Sequence, residues 1–510
     1  MFFRVLMCNF AVRLKIYSKK IGHAQKIRGQ LTLGSTSIDK IQICTKSRDE
    51  FPALLRALQY IYTNQDANEQ IFSLLESLIC NKKPTGRRGM DLWTIFVLAE
   101  TRLCLNTDYD RLHYLANNDN LLRQMLGVHD GIVRGRDFDR QTIIDNIHLL
   151  NDETLRKIND IIVKAGHKIV KKKETEALHI KVDSFVTEAN VHFPTDYNLL
   201  WDSGRKCIDV LGHLMDSNEA YCKGWRKIAD WRKKMKNKML ILSRSTANKS
   251  KNRAQRLKDA TIDYLSTARS LLSKIDNVKQ LNSLDLSDSA MFKSLKYYRD
   301  MLYKHIDLVE RRLIKGEVIP HEEKIFSIFE PWVEWICKGK KHKPVEIGTL
   351  TFVASDQWHF AVDWWAADHQ RDNQLLIPSI DRIIQSYGAL SACSSDKGFF
   401  SKIDVELIEL FDIKAYIPKK GNRSLADIQR ENDPKFIKAR RAHSAIESNI
   451  NELEHRGLDR CPDKGIRGMH RYIGLAVISY NLRRIGKILL DQDRNAATAS
   501  KATKSQRAAA

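Results

Sequence analysis

Two groups of strand-like segments, at 177–193 and 346–365, are separated by about 150 residues of charged sequence with a helical period. In the first group apolar and polar residues alternate, so Leu178, Ile180 and Val182 face one side of a sheet while His179, Lys181 and Asp183 face the other. In the second, Thr349–Ala354 and Phe360–Trp364 read as a hairpin. A sheet interrupted in this way must accept a mostly helical insertion, to which Asp259–Leu272 and Lys293–Leu313 belong.

Beyond the hairpin the pattern alternates between helix and strand, which predicts an α/β fold. A helix is expected over Asn373–Tyr387, with buried strands over Ala389–Cys393 and Ala415–Pro418. A second helix is expected over about Pro434–His455, with Phe436, Ala439, Ile446, Ile450 and Leu453 as its apolar stripe. Residues 50–170 are helical in period: Leu92, Ile95, Phe96, Ala99 and Leu103 form one stripe, and Leu155, Ile158, Ile161, Ile162 and Ala165 another. Short helices at Asp108–Gly127 and Arg140–Leu150 admit a helix-turn-helix or a structural bundle.

Two acids stand where chemistry is expected. Asp396, in Ser394-Ser395-Asp396-Lys397-Gly398-Phe399, closes a strand, and open α/β sheets bind ligands at the carboxyl ends of their strands. Glu447, in Arg440-Arg441-Ala442-His443-Ser444-Ala445-Ile446-Glu447, borders the apolar stripe of its helix. On a continuous helix Arg440 and Asn451 share its face. Asp183 is the candidate third carboxylate, with Asp356 as the alternative, Asp363 also close to the strands, and Asp372 read as the N-cap of the helix after Trp364. Three such oxygens are a donor set for hard cations.

At these residues the chain resembles the DDE transposases of bacterial insertion sequences, in the branch called ISNCY and its close relatives. The resemblance rests on Val182-Asp183-Ser184 followed by His192-Phe193-Pro194-Thr195-Asp196 and Leu199-Leu200. It extends through Ile319-Pro320-His321-Glu322-Glu323-Lys324-Ile325-Phe326-Ser327-Ile328-Phe329-Glu330-Pro331, Lys338-Gly339-Lys340 and Pro344-Val345-Glu346-Ile347-Gly348. Ser395-Asp396-Lys397-Gly398-Phe399 and Ile446-Glu447 with Gly457-Leu458-Asp459-Arg460-Cys461-Pro462-Asp463-Lys464-Gly465 complete it, so the blocks span roughly residues 90 to 490. Ser184-Phe185 departs from the two threonines usual in that family.

The resemblance implies an RNase H-like mixed sheet with a large helical insertion, preceded by an all-helical DNA-binding domain. It makes Asp183, Asp396 and Glu447 the catalytic and metal-binding triad, with two Mg²⁺ (or Mn²⁺) ions as cofactor. The reaction implied is phosphodiester hydrolysis beside terminal inverted repeats, followed by joining of the freed 3′ end to target DNA, with a homodimer assembled on the two ends. Its in-line displacements need no covalent protein intermediate. A silent DNA-binding descendant and a metal-dependent nuclease without strand transfer are the alternatives.

Charge agrees with a polyanionic partner. The chain carries +23 over 510 residues, and residues 223–258 hold fourteen Lys or Arg against Asp230 alone, a net of +13. There Arg226, Lys227, Arg232, Lys233 and Lys234 are candidate DNA contacts beside Trp225 and Trp231, whose indoles either stack on unpaired bases or pack in a core. Lys397, Arg440, Arg441 and the loop Lys419-Lys420-Gly421 are candidate phosphate contacts near the site; a solvated turn is the simpler account of the loop.

Nine dispersed cysteines without a C-x-x-C pair argue against disulfides and zinc fingers, and no apolar run approaches the roughly 20 residues of a membrane span. A cytoplasmic, nucleoid-associated protein is expected, and no Walker A or dinucleotide fingerprint is present. The expected divisions are an extension (1–49), a helical DNA-binding domain (50–170), the first part of the catalytic domain (175–200), a basic insertion (201–345), the remainder of the catalytic domain (346–490) and a disordered tail (491–510). Removing residues 50–170 is expected to spare the sheet.

Overall fold

The computed structural model describes residues 23–25, 35–79, 88–128, 137–217, 221, 225, 227–247, 252–278, 286–337 and 343–509. Arg226, Lys338-Gly339-Lys340 and most of the expected N-terminal extension lie outside them. Two compact units result: residues 191–333, and residues 21–190 with 334–510.

The larger unit is α/β. Its strands are β1 (His23–Gln25), β2 (Arg88–Asp91), β3 (Leu178–Ala189), β4 (Glu334–Ile336), β5 (Glu346–Ser355), β6 (Ala361–Ala366), β7 (Leu390–Ser395), β8 (Lys414–Tyr416) and β9 (Arg460–Cys461). β1 and β2 pair with each other; the other seven form one mixed sheet. β3 is central, antiparallel to β5 and parallel to β7. β5 carries β6 and β4 antiparallel on its far edge, and β8 lies parallel beyond β7. The short β9 continues alongside β3 past the end of β7. β5 is buried throughout, as an apolar strand covered on both faces must be.

Before β3 the chain forms α1 (Phe51–Thr63), α2 (Gln65–Ser77), α3 (Leu92–Cys104), α4 (Tyr109–Asn118), α5 (Asn120–Met125), α6 (Arg140–Ile147) and α7 (Asp152–Ile169). Side-chain caps set their starts: Asn64, Asp91, Asp108, Asp119, Asp139 and Asn151 each accept from a backbone N–H in the first turn of the following helix. α3 is buried on every side, so the apolar stripe read from its sequence is only part of its packed surface. These helices belong to the same compact unit as the sheet. Arg156 donates to Trp364 O, Asn159 to Ala361 O, and His167 meets Asp356 at 2.6 Å, all from α7 onto β6 and its preceding turn. The sheet is therefore not independent of residues 50–170.

After β6 the chain adds α12 (Asp372–Tyr387), α13 (Lys402–Leu410), α14 (Leu425–Asn432), α15 (Pro434–His443), α16 (Ala445–Leu453) and α17 (Ile466–Ala509), numbered after the four helices of the smaller unit. α17 packs on α1, α3 and α7. It continues through residues 491–509, where a disordered tail was expected. No Gly or Pro follows Gly486, and the run is rich in Ala, Lys, Arg and Gln, all good helix formers.

In the smaller unit α8 (Asp196–Ser217), α9 (Ile228–Ala247), α10 (Arg253–Asp276) and α11 (Leu286–Val309) pack around Leu211, Met235, Tyr264, Leu271 and Leu302. Trp225 is buried in this core and Trp231 packs against it, with Lys274 5.2 and 5.7 Å from their rings. The tryptophans of the basic segment thus serve packing. No helix among the described residues is long and apolar enough to cross a membrane.

Candidate active site

β3 and β7 run parallel, and their last paired residues are Val182 and Ser395. One residue further along each strand come Asp183 and Asp396. Two carboxylates are thereby brought to neighbouring positions at the carboxyl end of β7, although more than two hundred residues separate them in sequence. Asp183 is half-buried and its Oδ1 accepts from Ser184 N at 2.7 Å; across the antiparallel pair it faces Val353. Asp396 is exposed and caps the short helix Lys397–Phe399, accepting from Gly398 N at 2.8 Å.

Glu447 lies in the first turn of α16, which packs against β3. Its carboxylate is exposed and makes no hydrogen bond or ion pair among the described residues. The single helix expected over Pro434–His455 is in fact broken at Ser444 into α15 and α16. Arg440 therefore does not share one continuous helix face with Glu447 and Asn451. All the apolar residues of the expected stripe are still buried, because each half packs separately, α15 on β7 and β8 and α16 on β3.

The donors suit a hard cation in kind. Space beside Asp396 is kept by Gly398: a Cβ there would lie 2.9 Å from Asp396 Oδ1 and 3.4 Å from Asp372 Oδ2. Among the described residues, however, no three His, Cys, Asp or Glu side chains come together closely enough to hold a metal ion, so Glu447 as placed does not complete a ligand set with the aspartate pair.

The competing acids are otherwise engaged. Asp356 is fully buried; it meets His167 and accepts from Trp358 N and Phe360 N, so it holds a turn. Asp363 is bound by Ser379 Oγ and Arg382. Asp372 is not the N-cap of α12: Arg371 occupies that position, and Asp372 instead accepts from Ser184 Oγ at 2.6 Å. That bond ties β3, next to Asp183, to the start of α12.

Two further groups lie on the Asp183 side of the sheet, Lys181 as its alternation predicts and His443, whose role the sequence did not single out. Lys181, two residues earlier on the same face, is buried; burial lowers its pKa against the pull of Asp356. His443, on α15, lies 3.3 Å from Ser394 Oγ through Nδ1; burial pushes its pKa down to about 4, with Asp396 acting in the opposite direction. Burial therefore favours the neutral imidazole of His443 near neutral pH, beside Ser394 and close to Asp396. The available signal was its position four residues before Glu447.

The basic candidates divide. Lys397, Lys420, Arg440 and Arg441 are exposed, and their side chains make no ion pair among the described residues. Lys419 is committed: it pairs with Asp427 at 2.5 Å while its N–H donates to Glu431. In the smaller unit Lys227, Lys233 and Lys234 are exposed, whereas Arg232 pairs with Asp209 at 2.7 Å.

Along α16 beyond Glu447, Asn451 lines a polar cavity of about 370 Å³ shared with Asn106, Lys343, Glu346, Glu454 and Asp459.

No model of a known protein family, no curated protein and no solved structure matches the chain.

Proposed function

We propose that this chain is a DDE transposase that binds the terminal inverted repeats of an insertion sequence, cuts beside them and joins the 3′ ends to target DNA. The observation that carries the reading is the placement of Asp183 and Asp396 one residue beyond the last pair of two parallel strands, with Glu447 on a helix packed against the first of them. The strand order β6-β5-β3-β7-β8, with the first three antiparallel and the last two parallel, supports an RNase H-like reading of the sheet.

In this reading Asp183, Asp396 and Glu447 would hold two Mg²⁺ or Mn²⁺ ions, and Glu447 would have to approach the aspartates to do so. When bound, such ions stabilise the attacking and leaving oxygens of an in-line displacement. The chain's own part is positional. Ser184 and Asp372 brace β3 beside Asp183, Gly398 leaves the flank of Asp396 open, and His443 holds Ser394 at the end of β7. Arg440, Arg441, Lys397 and Lys420 supply cations for phosphate. Two ends processed together require at least two copies.

The test is cleavage of DNA carrying the gene's own flanking inverted repeats, with Mg²⁺ or Mn²⁺, comparing wild type with Glu447→Gln. Metal-dependent nicks at the repeat boundary that vanish in the variant support the reading, and joined products separate a transposase from a nuclease. Tight binding without cleavage by wild type favours a silent DNA-binding descendant. Persistent cleavage in the variant removes Glu447 from the site.

A further inference from the structure

α13 is apolar on two sides. Val405 and Ile408 are buried, and the helix packs on β8. At about 100° per residue, Ile403, Leu407 and Leu410 lie within roughly 60° of one another on the opposite side, where they are 75%, 37% and 78% exposed. Phe411, just past the last turn, is 68% exposed. Acids border this outward ridge: Asp404 on one flank, Glu406 and Glu409 on the other, with Asp412 after Phe411. Lys402 pairs with Glu406 at 3.7 Å, so four acids against one lysine give residues 402–412 a net of −3 in a chain of +23. Scattered apolar residues on a surface need no explanation, but a ridge of four in line marks an interaction site.

Charge indicates what covers it. α13 and α15 lie on opposite faces of the sheet. Asp372, at the start of α12, bonds Ser184, and α12 packs beside α13; His443, at the end of α15, bonds Ser394, which is level with Lys181 on the other face. On α15 residues 434–443 carry Lys435, Lys438, Arg440 and Arg441 with no Asp or Glu, a charge that suits a polyanion. The α13 ridge repels a polyanion, and equally an anionic membrane surface, which takes helices with basic flanks. What complements an apolar line between carboxylates is a protein helix with apolar residues at i, i+3 or i+4 and i+7 between lysines or arginines.

We infer that the outward ridge of α13 is the docking site for such a basic amphipathic helix, supplied by another protein. Phe411 and its neighbour Leu410 form the anchor, and the flanking carboxylates set orientation and specificity. α13 begins six residues after Asp396 (402 less 396). Asp396 caps Lys397–Phe399 and Ser401 caps α13, so a partner seated on the ridge binds next to the segment that positions Asp396. The inference needs neither DNA nor metal and does not rest on the transposase reading.

The experiment is fluorescence anisotropy with the full chain, without DNA and at moderate salt. One probe is a labelled synthetic helix of about 18 residues, with leucines at that spacing between lysines; in the second, glutamates replace the lysines. The lysine probe is expected to bind with a Kd below about 100 µM. A Leu410→Ser/Phe411→Ser variant and a Glu406→Lys/Glu409→Lys variant should each weaken it at least roughly tenfold. The glutamate probe meets only the basic surfaces of the chain, so neither variant should reduce its binding. All four positions are exposed and outside the candidate active site, so circular dichroism should show unchanged folds. A lysine probe that stays free at about 100 µM overturns the inference, as does binding indifferent to either variant. Self-association of wild type that Leu410→Ser/Phe411→Ser abolishes overturns it too, because the occupant is then a second copy.

Discussion

Arg102→Met should be among the most damaging single changes outside the site. Arg102, on α3, is almost fully buried and grips Asp463 with Nη2 at 2.7 Å and Nη1 at 3.3 Å, while its guanidinium lies 4.0 Å from the centre of the Tyr109 ring. Burial tends to raise the Asp463 pKa, but Arg102, followed by Arg471, outweighs it and holds the carboxyl below its usual range. Removing one partner of such a pair typically costs about 3–5 kcal/mol, because the other charge is left buried. Arg471, 3.4 Å from Asp463, remains as partial compensation, which argues for about 3 kcal/mol. A depressed carboxyl pKa contributes stability above its unfolded value that is lost as pH falls through the folded one. Without Arg102 the Asp463 pKa rises, so protonation relieves the variant and its deficit should shrink between about pH 7 and pH 4. The assay is urea-dependent hydrogen exchange of the α3 amides, which reads this unit rather than residues 191–333. A cost below about 1 kcal/mol would refute the reasoning, as would an Arg102→Met/Asp463→Asn double variant whose loss equals the sum of the singles.

Glu100 is fully buried, neither carboxyl oxygen has a hydrogen-bond partner among the described residues, and burial raises its pKa well above the ordinary value. Glu100→Met should therefore stabilise the unit by about 1–3 kcal/mol near neutral pH. An acid with a raised folded pKa favours the fold at low pH, so the wild type should lose stability relative to the variant as pH climbs from about 5 to 8, measured by thermal melting. Gly486→Ala would place a Cβ 1.7 Å from Ala53 O where α17 crosses α1, and should cost about 3 kcal/mol, whereas Gly212→Ala on α8 meets nothing within 4 Å and should gain up to about 1 kcal/mol; paired urea titrations decide. Deleting residues 51–169 should leave the β3 and β5 amides without slow hydrogen exchange, because α7 supplies partners to β6 and Asp356; retained protection there would contradict this.

Much of the sheet was legible because period-two alternation reports directly on which face of a strand is buried. The alternation around Asp183, the hairpin after residue 346 and the run closing at Asp396 all correspond to strands. Their pairing was not legible, since nothing local says that β3 lies between β5 and β7. The break at Ser444 was hidden because both flanking segments keep helical dihedrals and one apolar period, and only packing on different strands separates them. Asp372 resembles a helix cap in sequence, and its bond to Ser184 depends on tertiary placement. The tail was misread because Ala- and Lys-rich composition fits both disorder and helix.

The junctions of the inserted unit have a kinetic meaning. Glu188 near the end of β3 and Glu334 at the start of β4 both pair with Gly348 on β5, so the chain leaves and re-enters the sheet on either side of a single strand, about 10 Å apart. Gly348 cannot carry a side chain there, because a Cβ would lie 2.0 Å from Thr187 O. Glu188 and Gly348 are 160 positions apart in sequence (348 less 188), so their pairing closes a very long loop. If the whole of residues 191–333 folds first, that loop behaves like one of some sixteen residues, and the closure penalty falls by about 2 kcal/mol. The order of events during synthesis then matters: the helical insertion emerges before β5 and can fold ahead of it, converting the slowest pairing of the central sheet into a local one.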